Sequence, residues 1–289
     1  MAKKAKALGI PVFSYIPPSA WAWRQGRAKE CVKWADEFVA IFPHELPVYE
    51  AAGANIEFLG NPLVDAVKPE LSPSQALAYF KIPTDKTVIL MLPGSRKQEI
   101  ELLLPAMLGA AKELLAERPD TVFMLPVADG VNEARLKELI ISANVPVKLT
   151  YDNRYALMHI ATAAMATSGT VVMEAALLGL PCVVLYRLSP VSYFIGRLLV
   201  HVKIFSLPNI LLGETFETEL LQDEVTPENI KKEMLKLYKG QEHRTLVLAK
   251  LKQAADKLGK PGAAARIAAK ILAAARRFKV ADAAIGGRK

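Results

Sequence analysis

From Thr87 onward, short apolar segments alternate with helical patterns, and this alternation restricts the fold more than any other feature of the chain. The first of these segments, TVILML (87–92), is rich in branched side chains, which is typical of a buried strand. The others are TVFMLP (121–126), VKLT (147–150), AAMAT (163–167) and CVVLY (182–186). Strands that alternate with helices predict an α/β fold of the doubly wound type, a parallel sheet with helices on both faces. In such sheets, ligands bind at the carboxyl ends of the strands.

A shorter α/β segment precedes this region. PVFSYI (11–16), EFVAIF (37–42) and IEFL (56–59) are predicted strands, with a helix over residues 24–35. Three strands are few for a sheet with two helical faces, so this first domain is expected to be incomplete at its N-terminal side.

Three parts are predicted along the chain. GNPLVD (60–65) contains Gly and Pro, which break both periodicities, and is interpreted as a crossing between domains. From about Pro227 the sequence is helical and rich in Ala and Lys. The predicted parts are an N-terminal domain over 1–60, a larger domain over 61–226 and C-terminal helices over 227–289.

The net charge of +8 is unevenly distributed. Residues 1–33 carry seven Lys/Arg and one acid, and residues 229–289 carry sixteen Lys/Arg and four acids. Basic ends favour an anionic membrane or an anionic substrate, although ordinary solvated helix faces explain the charge equally well. No nucleic-acid motif accompanies the charge, so nucleic acid is not predicted as a partner.

Cysteine and histidine indicate no metal chemistry. Cys31 and Cys182 are isolated, and the four histidines lack the spacing of a metal site. A reduced, cytoplasmic protein without a metal or a cofactor is predicted.

LMLPGSRKQEI (90–100) is the first candidate binding segment, in which a strand ends, a turn follows and a helix begins. Gly94 allows a ligand to approach the backbone, and Ser95 is predicted to cap the helix. Free amides at the helix start and the Arg96 guanidinium favour an anion such as phosphate. The alternative is a well-capped surface helix.

ATSGTVVMEAALLGLPCVVL (166–185) is the second candidate segment. Ser168, Gly169 and Thr170 lie between a strand and a helix, and Glu174 follows one turn later, where its carboxylate would accept the hydroxyls of a ribose. The alternative role of Glu174 is to complement the helix dipole. Two such turns on one sheet favour a nucleotide.

Two apolar segments leave their roles open. The segment from Tyr186 to Gly213 contains a pattern that fits either a core helix or an amphipathic helix for lipid, followed by SLPN (206–209), a turn that would place Asn209 at a ligand. Trp21 and Trp23 follow Pro17-Pro18 and either fill a core or line a site for an apolar or planar group.

The ordered set of motifs resembles the lipid-A-disaccharide synthase family, glycosyltransferases of the two-domain GT-B type. The matching segments are PSAWAWRQGR, GNPLVD, MLPGSRKQE, TSGTVVMEAALLGLPCVVLYR and SLPNILLG, and the resemblance extends to about Ala275. It implies transfer of diacylglucosamine from UDP to the 6-hydroxyl of diacylglucosamine 1-phosphate, which forms the β-1,6 disaccharide and UDP. It also implies a peripheral protein at the inner membrane, with C-terminal helices that pack back on the first domain.

The resemblance also implies roles for individual residues. Donor-side contacts to the UDP diphosphate, its ribose or the sugar are implied for Gly94, Ser95, Arg96, Ser168, Gly169, Thr170, Glu174 and Asn209. An acceptor-side or interdomain position is implied for Trp21, Trp23 and Arg24.

Two departures from the family pattern stand out. The segment that carries the family's acidic catalytic base precedes the position of Met1, and Asn61 replaces a His of many members. The sequence is therefore interpreted as an N-terminally truncated member that binds UDP-sugar weakly and turns over poorly. A non-catalytic UDP-sugar-binding module and another UDP-sugar GT-B enzyme remain alternatives.

Overall fold

The computed structural model describes residues 1–20, 26–189 and 204–286. These residues form two compact units. One unit contains residues 1–66 and the chain from Asp256 onward, and the other contains the described residues of 67–255.

The smaller unit contains a parallel sheet in the order β1-β2-β3. Its strands are β1 (Phe13–Tyr15), β2 (Glu37–Ala40) and β3 (Ile56–Phe58). Its first helices are α1 (Ala2–Ala7), α2 (Gly26–Val32), α3 (Leu46–Glu50) and α4 (Leu63–Ala66), with a 3-10 turn at Pro43–Glu45. Each strand begins or ends within the predicted segment but is shorter than predicted.

The larger unit contains a six-stranded, entirely parallel sheet in the order β6-β5-β4-β7-β8-β9. The strands are β4 (Thr87–Leu92), β5 (Thr121–Pro126), β6 (Val147–Thr150), β7 (Ala163–Thr167), β8 (Cys182–Tyr186) and β9 (Glu219–Leu221). Strands β4 to β8 coincide with the predicted segments, and the α/β class with parallel sheets is confirmed. Strand β9 was not predicted, because it is a three-residue edge strand without an apolar run.

Helices cover both faces of this sheet. They are α5 (Pro73–Tyr79), α6 (Lys97–Glu117), α7 (Glu133–Ala143), α8 (Arg154–Ile160), α9 (Thr170–Leu177), α10 (Leu207–Leu212), α11 (Pro227–Leu235) and α12 (Glu242–Asp256), with a 3-10 turn at Gln222–Glu224. Apolar residues of α5, α8 and α9 pack on alternate residues of β4, including Leu90 and Leu92. Such alternation along a buried strand supplies side chains to both faces.

The compact units divide the chain at other positions than the sequence boundaries at 60/61 and 226/227. Helix α11 belongs to the larger unit, because it buries Ile230 and Met234 and contacts α6, β7 and β8. Only the chain from Asp256 onward joins the smaller unit, where α13 (Ala263–Gly286) lies. Within the described residues, every helix is too short or too polar to cross a membrane.

Helix α13 is held in the smaller unit by apolar contacts and by ion pairs. Ala263 and Ile267 pack on Val39 of the central strand β2. The buried Glu37 carboxylate of the same strand pairs with Arg277 and lies 3.6 Å from Lys270. Two cations from one helix therefore meet one buried carboxylate, which makes Glu37 the main polar anchor of α13 among these contacts.

We predict that Glu37→Gln destabilises the smaller unit by about 1–3 kcal/mol, because both cations lose a buried ionic partner. Hydrogen exchange of the α13 amides measures the effect and should become faster. Glu57→Gln is the matched control, since Glu57 also pairs with Lys270 but at a more exposed position. Equal exchange rates in the two variants would contradict the anchoring role of Glu37.

Candidate functional site

A cavity of about 750 Å³ lies at the carboxyl edge of the six-stranded sheet. It is formed by the residues that follow β4, β5, β6 and β7. Strands β4 and β7 are neighbours in the sheet although two strands separate them in sequence. The chain thus reverses its direction of travel across the sheet at this point, which is where open α/β sheets bind ligands.

The turn after β4 lies in this cavity and includes Gly94, Ser95 and Arg96. Gly94 has φ +103°, and a Cβ there would lie 2.2 Å from Oε2 of Glu99, so only glycine fits. Helix α6 begins at Lys97 with Arg96 as its N-cap. Ser95 does not cap the helix as predicted, because Glu99 reaches back from the first turn and satisfies the amides instead.

The Glu99 carboxylate shows that this turn holds an anionic group. The amides of Ser95 and Arg96 each donate to Oε2 of Glu99 at 3.2 Å, and Nη1 of Arg96 lies 3.1 Å from Oε1. The Arg96 side chain is 84% exposed. Its guanidinium is therefore open to a ligand that enters the cavity.

The turn after β7 brings Ser168, Gly169 and Thr170 to the same cavity. The Ser168 amide donates to the Leu185 carbonyl, and its hydroxyl donates to the Phe205 carbonyl at 3.0 Å. Both donors of Ser168 are therefore used within the protein. Helix α9 begins at Thr170, and its first amides have no partner within the helix.

Gly169 leaves room for a ligand. A Cβ placed there would meet no atom within 4 Å, and its φ of 170° is an extended conformation open to any residue. The fold itself therefore does not require glycine at this position.

Glu174 lines the cavity from α9 and is only 8% exposed. Burial raises the pKa of this carboxyl, and the nearby Arg154 guanidinium opposes the rise in pKa. Nη2 of Arg154 lies 3.6 Å from Oε2 of Glu174. A buried carboxylate with a cation on one side is suited to accept hydroxyl groups from a ligand.

Arg154 was not predicted as a site residue. It begins α8, directly after the polar segment that follows β6, at the same edge of the sheet as the two turns. That position was the available signal, since every predicted parallel strand ends at this edge.

Asn209 does not line the cavity. It is completely buried, and its Oδ1 accepts the amides of Phe216 (3.1 Å) and Glu217 (3.0 Å). Its Nδ2 donates to the Glu217 carbonyl (2.9 Å) and to Oε1 of Glu219 (2.7 Å). Every hydrogen-bonding position of the amide is used, so the SLPN turn orders the chain leading to β9 rather than presenting Asn209 to the cavity.

Glu217 extends this buried network. Its Oε1 accepts the amide of Cys182 at 2.9 Å, which ties the segment before β9 to the start of β8. Burial raises the pKa of Glu217 to about 8.

Several predicted features lie elsewhere. Trp21, Trp23 and Arg24 lie outside the described residues, as does the apolar segment around Phe194.

Asn61 is buried and donates to the Ile41 carbonyl at 2.8 Å while it accepts the Leu63 amide at 2.9 Å. In the part of the chain that the structure describes, no group of three or more His, Cys, Asp or Glu is arranged to hold a metal ion.

A model of the Lipid-A-disaccharide synthetase family matches residues 1–270. The chain belongs to the lipid-A-disaccharide synthase family. The synthase of Syntrophus aciditrophicus is 41% identical over 269 residues, which are 93% of this chain and 70% of that protein. The synthase of Geobacter metallireducens is 38% identical over 272 residues, 94% of this chain and 71% of the relative. This member is therefore a glycosyltransferase of lipid A biosynthesis, as the motifs imply.

Solved structures with the same fold confirm the GT-B architecture of this synthase family member. The UDP-GlcNAc 2-epimerase from Neisseria meningitidis bound to UDP-GlcNAc has a TM-score of 0.64 at 16% identity, and the match covers 94% of this chain and 72% of that one. The S. aureus MnaA-UDP co-structure has a TM-score of 0.61 at 16% identity, with 92% and 70% covered. At these identities the likeness concerns the fold.

We predict that Asn209→Ala lowers the free energy of unfolding of the larger unit by about 2–4 kcal/mol, because it leaves two amides buried without an acceptor. Urea unfolding followed by circular dichroism measures the change. Gln253→Ala, at an exposed position of α12, is the control and should change stability by less than about 0.5 kcal/mol. A loss in Asn209→Ala as small as in the control would rule out the structural role of Asn209.

Proposed function

We propose that the cavity binds the UDP part of UDP-2,3-diacylglucosamine and that the chain supplies the donor site for transfer to 2,3-diacylglucosamine 1-phosphate. The observation that carries the proposal is the convergence of two turns, each followed by a helix start, on one cavity that also contains a buried carboxylate. An anion held between helix starts, with an acid for the sugar, is the arrangement that nucleotides require. Membership of the synthase family supports the choice of UDP-sugar over other nucleotides.

The diphosphate is assigned to the two turns. Gly94 lets a phosphate approach the backbone, and Arg96 supplies the positive charge. The amides of Gly169 and Thr170 face it from the start of α9, while Ser168 shapes the turn through its internal hydrogen bonds. Because Glu99 now occupies the amides of Ser95 and Arg96, the phosphate either displaces this carboxylate or binds through the guanidinium alone.

The ribose is assigned to Glu174. An ionised carboxylate accepts two hydroxyl hydrogen bonds and donates none, which matches the adjacent hydroxyls of a ribose. Its burial strengthens these bonds, since competing water is excluded. The position one turn into α9 sets the ribose beside the diphosphate.

The proposed reaction is a single inverting displacement. The 6-hydroxyl oxygen of the acceptor forms a bond to C1 of the donor sugar, the bond from C1 to the diphosphate oxygen breaks, and UDP leaves with the electron pair. The hydroxyl proton passes to a base, for which we assign no residue of the described chain. Arg96 and the helix-start amides stabilise the charge that develops on the leaving diphosphate.

We further propose that the protein acts in the cytoplasm at the surface of the inner membrane, where its acylated substrates reside. The basic ends of the chain support this location, since cationic segments are attracted to anionic lipid.

Gly169→Ala tests the proposed UDP site without disturbing the fold. The added methyl group meets open space in the empty protein but obstructs a ligand, so we expect unchanged thermal stability and UDP affinity reduced by about tenfold or more. Glu174→Gln should weaken UDP by a similar factor, about 10–100-fold, through loss of the charged acceptor. Isothermal titration calorimetry with UDP gives both values.

Gly26→Ala is the matched control for the glycine variant. A Cβ at Gly26 also meets nothing within 4 Å, and this residue of the smaller unit is not among those that line the cavity. If Gly169→Ala binds UDP as tightly as the wild type, or if the wild type does not bind UDP, the proposed donor site is refuted. UDP binding without formation of the disaccharide, followed by mass spectrometry, would identify a binding module rather than a transferase.

The membrane location predicts binding to vesicles of phosphatidylglycerol and phosphatidylethanolamine that weakens as the salt concentration rises. Exposed charges are screened over about 10 Å at 0.1 M salt, so sedimentation with the vesicles should fall markedly between 0.05 and about 0.5 M NaCl. Neutral phosphatidylcholine vesicles are the control. Binding that is independent of salt would argue against the basic ends as the contact surface.

A further inference from the structure

Arg154 lines the cavity, and neither the motifs nor the proposed reaction gives it a role. Its guanidinium is held from one side by Tyr155, since Nη2 donates to the tyrosine oxygen at 2.8 Å and Cζ lies 4.7 Å from the ring centre. The same Nη2 lies 3.6 Å from Oε2 of Glu174. The side chain is 55% exposed, whereas that of Glu174 is 11% exposed. The largely solvated Arg154 guanidinium thus lies beside the nearly buried Glu174 carboxylate.

This arrangement matters because a buried carboxyl group tends to take up a proton. Burial raises the pKa of Glu174, and the positive charge of Arg154 lowers it. A protonated carboxyl has one acceptor oxygen fewer and a donor in its place, so it is a poorer partner for two ribose hydroxyls. The role of Glu174 therefore depends on a neighbouring positive charge.

Among the residues that the structure describes, the other groups around Glu174 do not provide this charge. Helix α10 and strand β7 carry no titratable side chain, and β8 carries Cys182 and Tyr186. The remaining cation of the cavity is Arg96, which is already paired with Glu99. The other charged or titratable groups are the acids Glu99, Asp129 and Asp152 and the phenol of Tyr151.

We propose that Arg154 is a positioning residue, which keeps the Glu174 carboxylate ionised and turned towards the ribose of the bound nucleotide. The inference rests on the proposed function, because it assigns Glu174 to the ribose. It distinguishes Arg154 from Arg96, whose guanidinium is assigned to the diphosphate itself. Tyr155 supports the role by restricting the guanidinium to the side of Glu174.

The test compares two ligands, UDP and 2′,3′-dideoxy-UDP, with wild type, R154M and R154K. If Arg154 acts through Glu174 and the ribose hydroxyls, R154M should weaken UDP about tenfold at pH 6 but change the affinity for dideoxy-UDP less than about twofold. R154K retains the charge and should recover most of the UDP affinity. Calorimetry at pH 5.5 to 8 supplies the values, and thermal unfolding confirms that the variants are folded.

The pH profile provides a second readout. Without Arg154 the Glu174 carboxyl takes up its proton at a higher pH. When the pH is lowered, R154M should therefore begin to lose UDP affinity at a higher pH than the wild type does. A merely structural arginine would lower the affinity equally at every pH. A pH profile of R154M that parallels the wild type would overturn the inference.

The remaining outcomes separate this inference from the function on which it rests. If R154M weakens UDP and dideoxy-UDP equally, Arg154 contacts the diphosphate directly and the positioning role is refuted. If R154M binds UDP like the wild type, the positioning role is also refuted, but the UDP site stands. If the wild type itself does not bind UDP, both the proposed function and this inference are refuted.

Discussion

The hydrogen bonds between β4 and β7 position the two glycine-containing turns that line the cavity. The two strands pair in parallel with Leu92 opposite Ala166, so both end at the same level of the sheet. The turn that contains Gly94 and the turn that contains Gly169 therefore emerge side by side. Successive crossovers carry the chain outward from β4 to β6, and α8 then returns it to the other side of β4. That reversal opens the crevice which the cavity occupies.

The electrostatics of the cavity follow from two ion pairs rather than from a uniformly positive lining. Arg96 pairs with Glu99, and Arg154 pairs with Glu174. Asp129 and Asp152 also line the cavity, so acids outnumber arginines there. We therefore propose that an anionic ligand depends on backbone amides and on exchange of partners at Arg96, and that the second pair serves the uncharged part of a nucleotide.

Much of the fold was predictable because the inner strands of the larger unit are buried on both faces. A strand in that environment consists mostly of consecutive apolar residues, and β4, β5, β7 and β8 match such runs to the residue. Strand β9 was not predicted, because an edge strand of three residues, Glu219–Leu221, needs no such apolar run. The helix starts were predicted less well, since their caps depend on which side chain reaches the free amides. At α6 it is Glu99 rather than Ser95.

The sequence by itself determined the class of fold, the family and the two glycine-containing turns, because these follow from local patterns and ordered motifs. Only the tertiary structure decided which polar residues face the cavity. Asn209 looks like a ligand residue in SLPN but is fully hydrogen-bonded within the protein, and Arg154 looks like an ordinary helix start but lies against Glu174. The physical reason is that a polar side chain is equally suited to a ligand or to a buried partner. The partner is chosen by packing between segments that are distant in the chain.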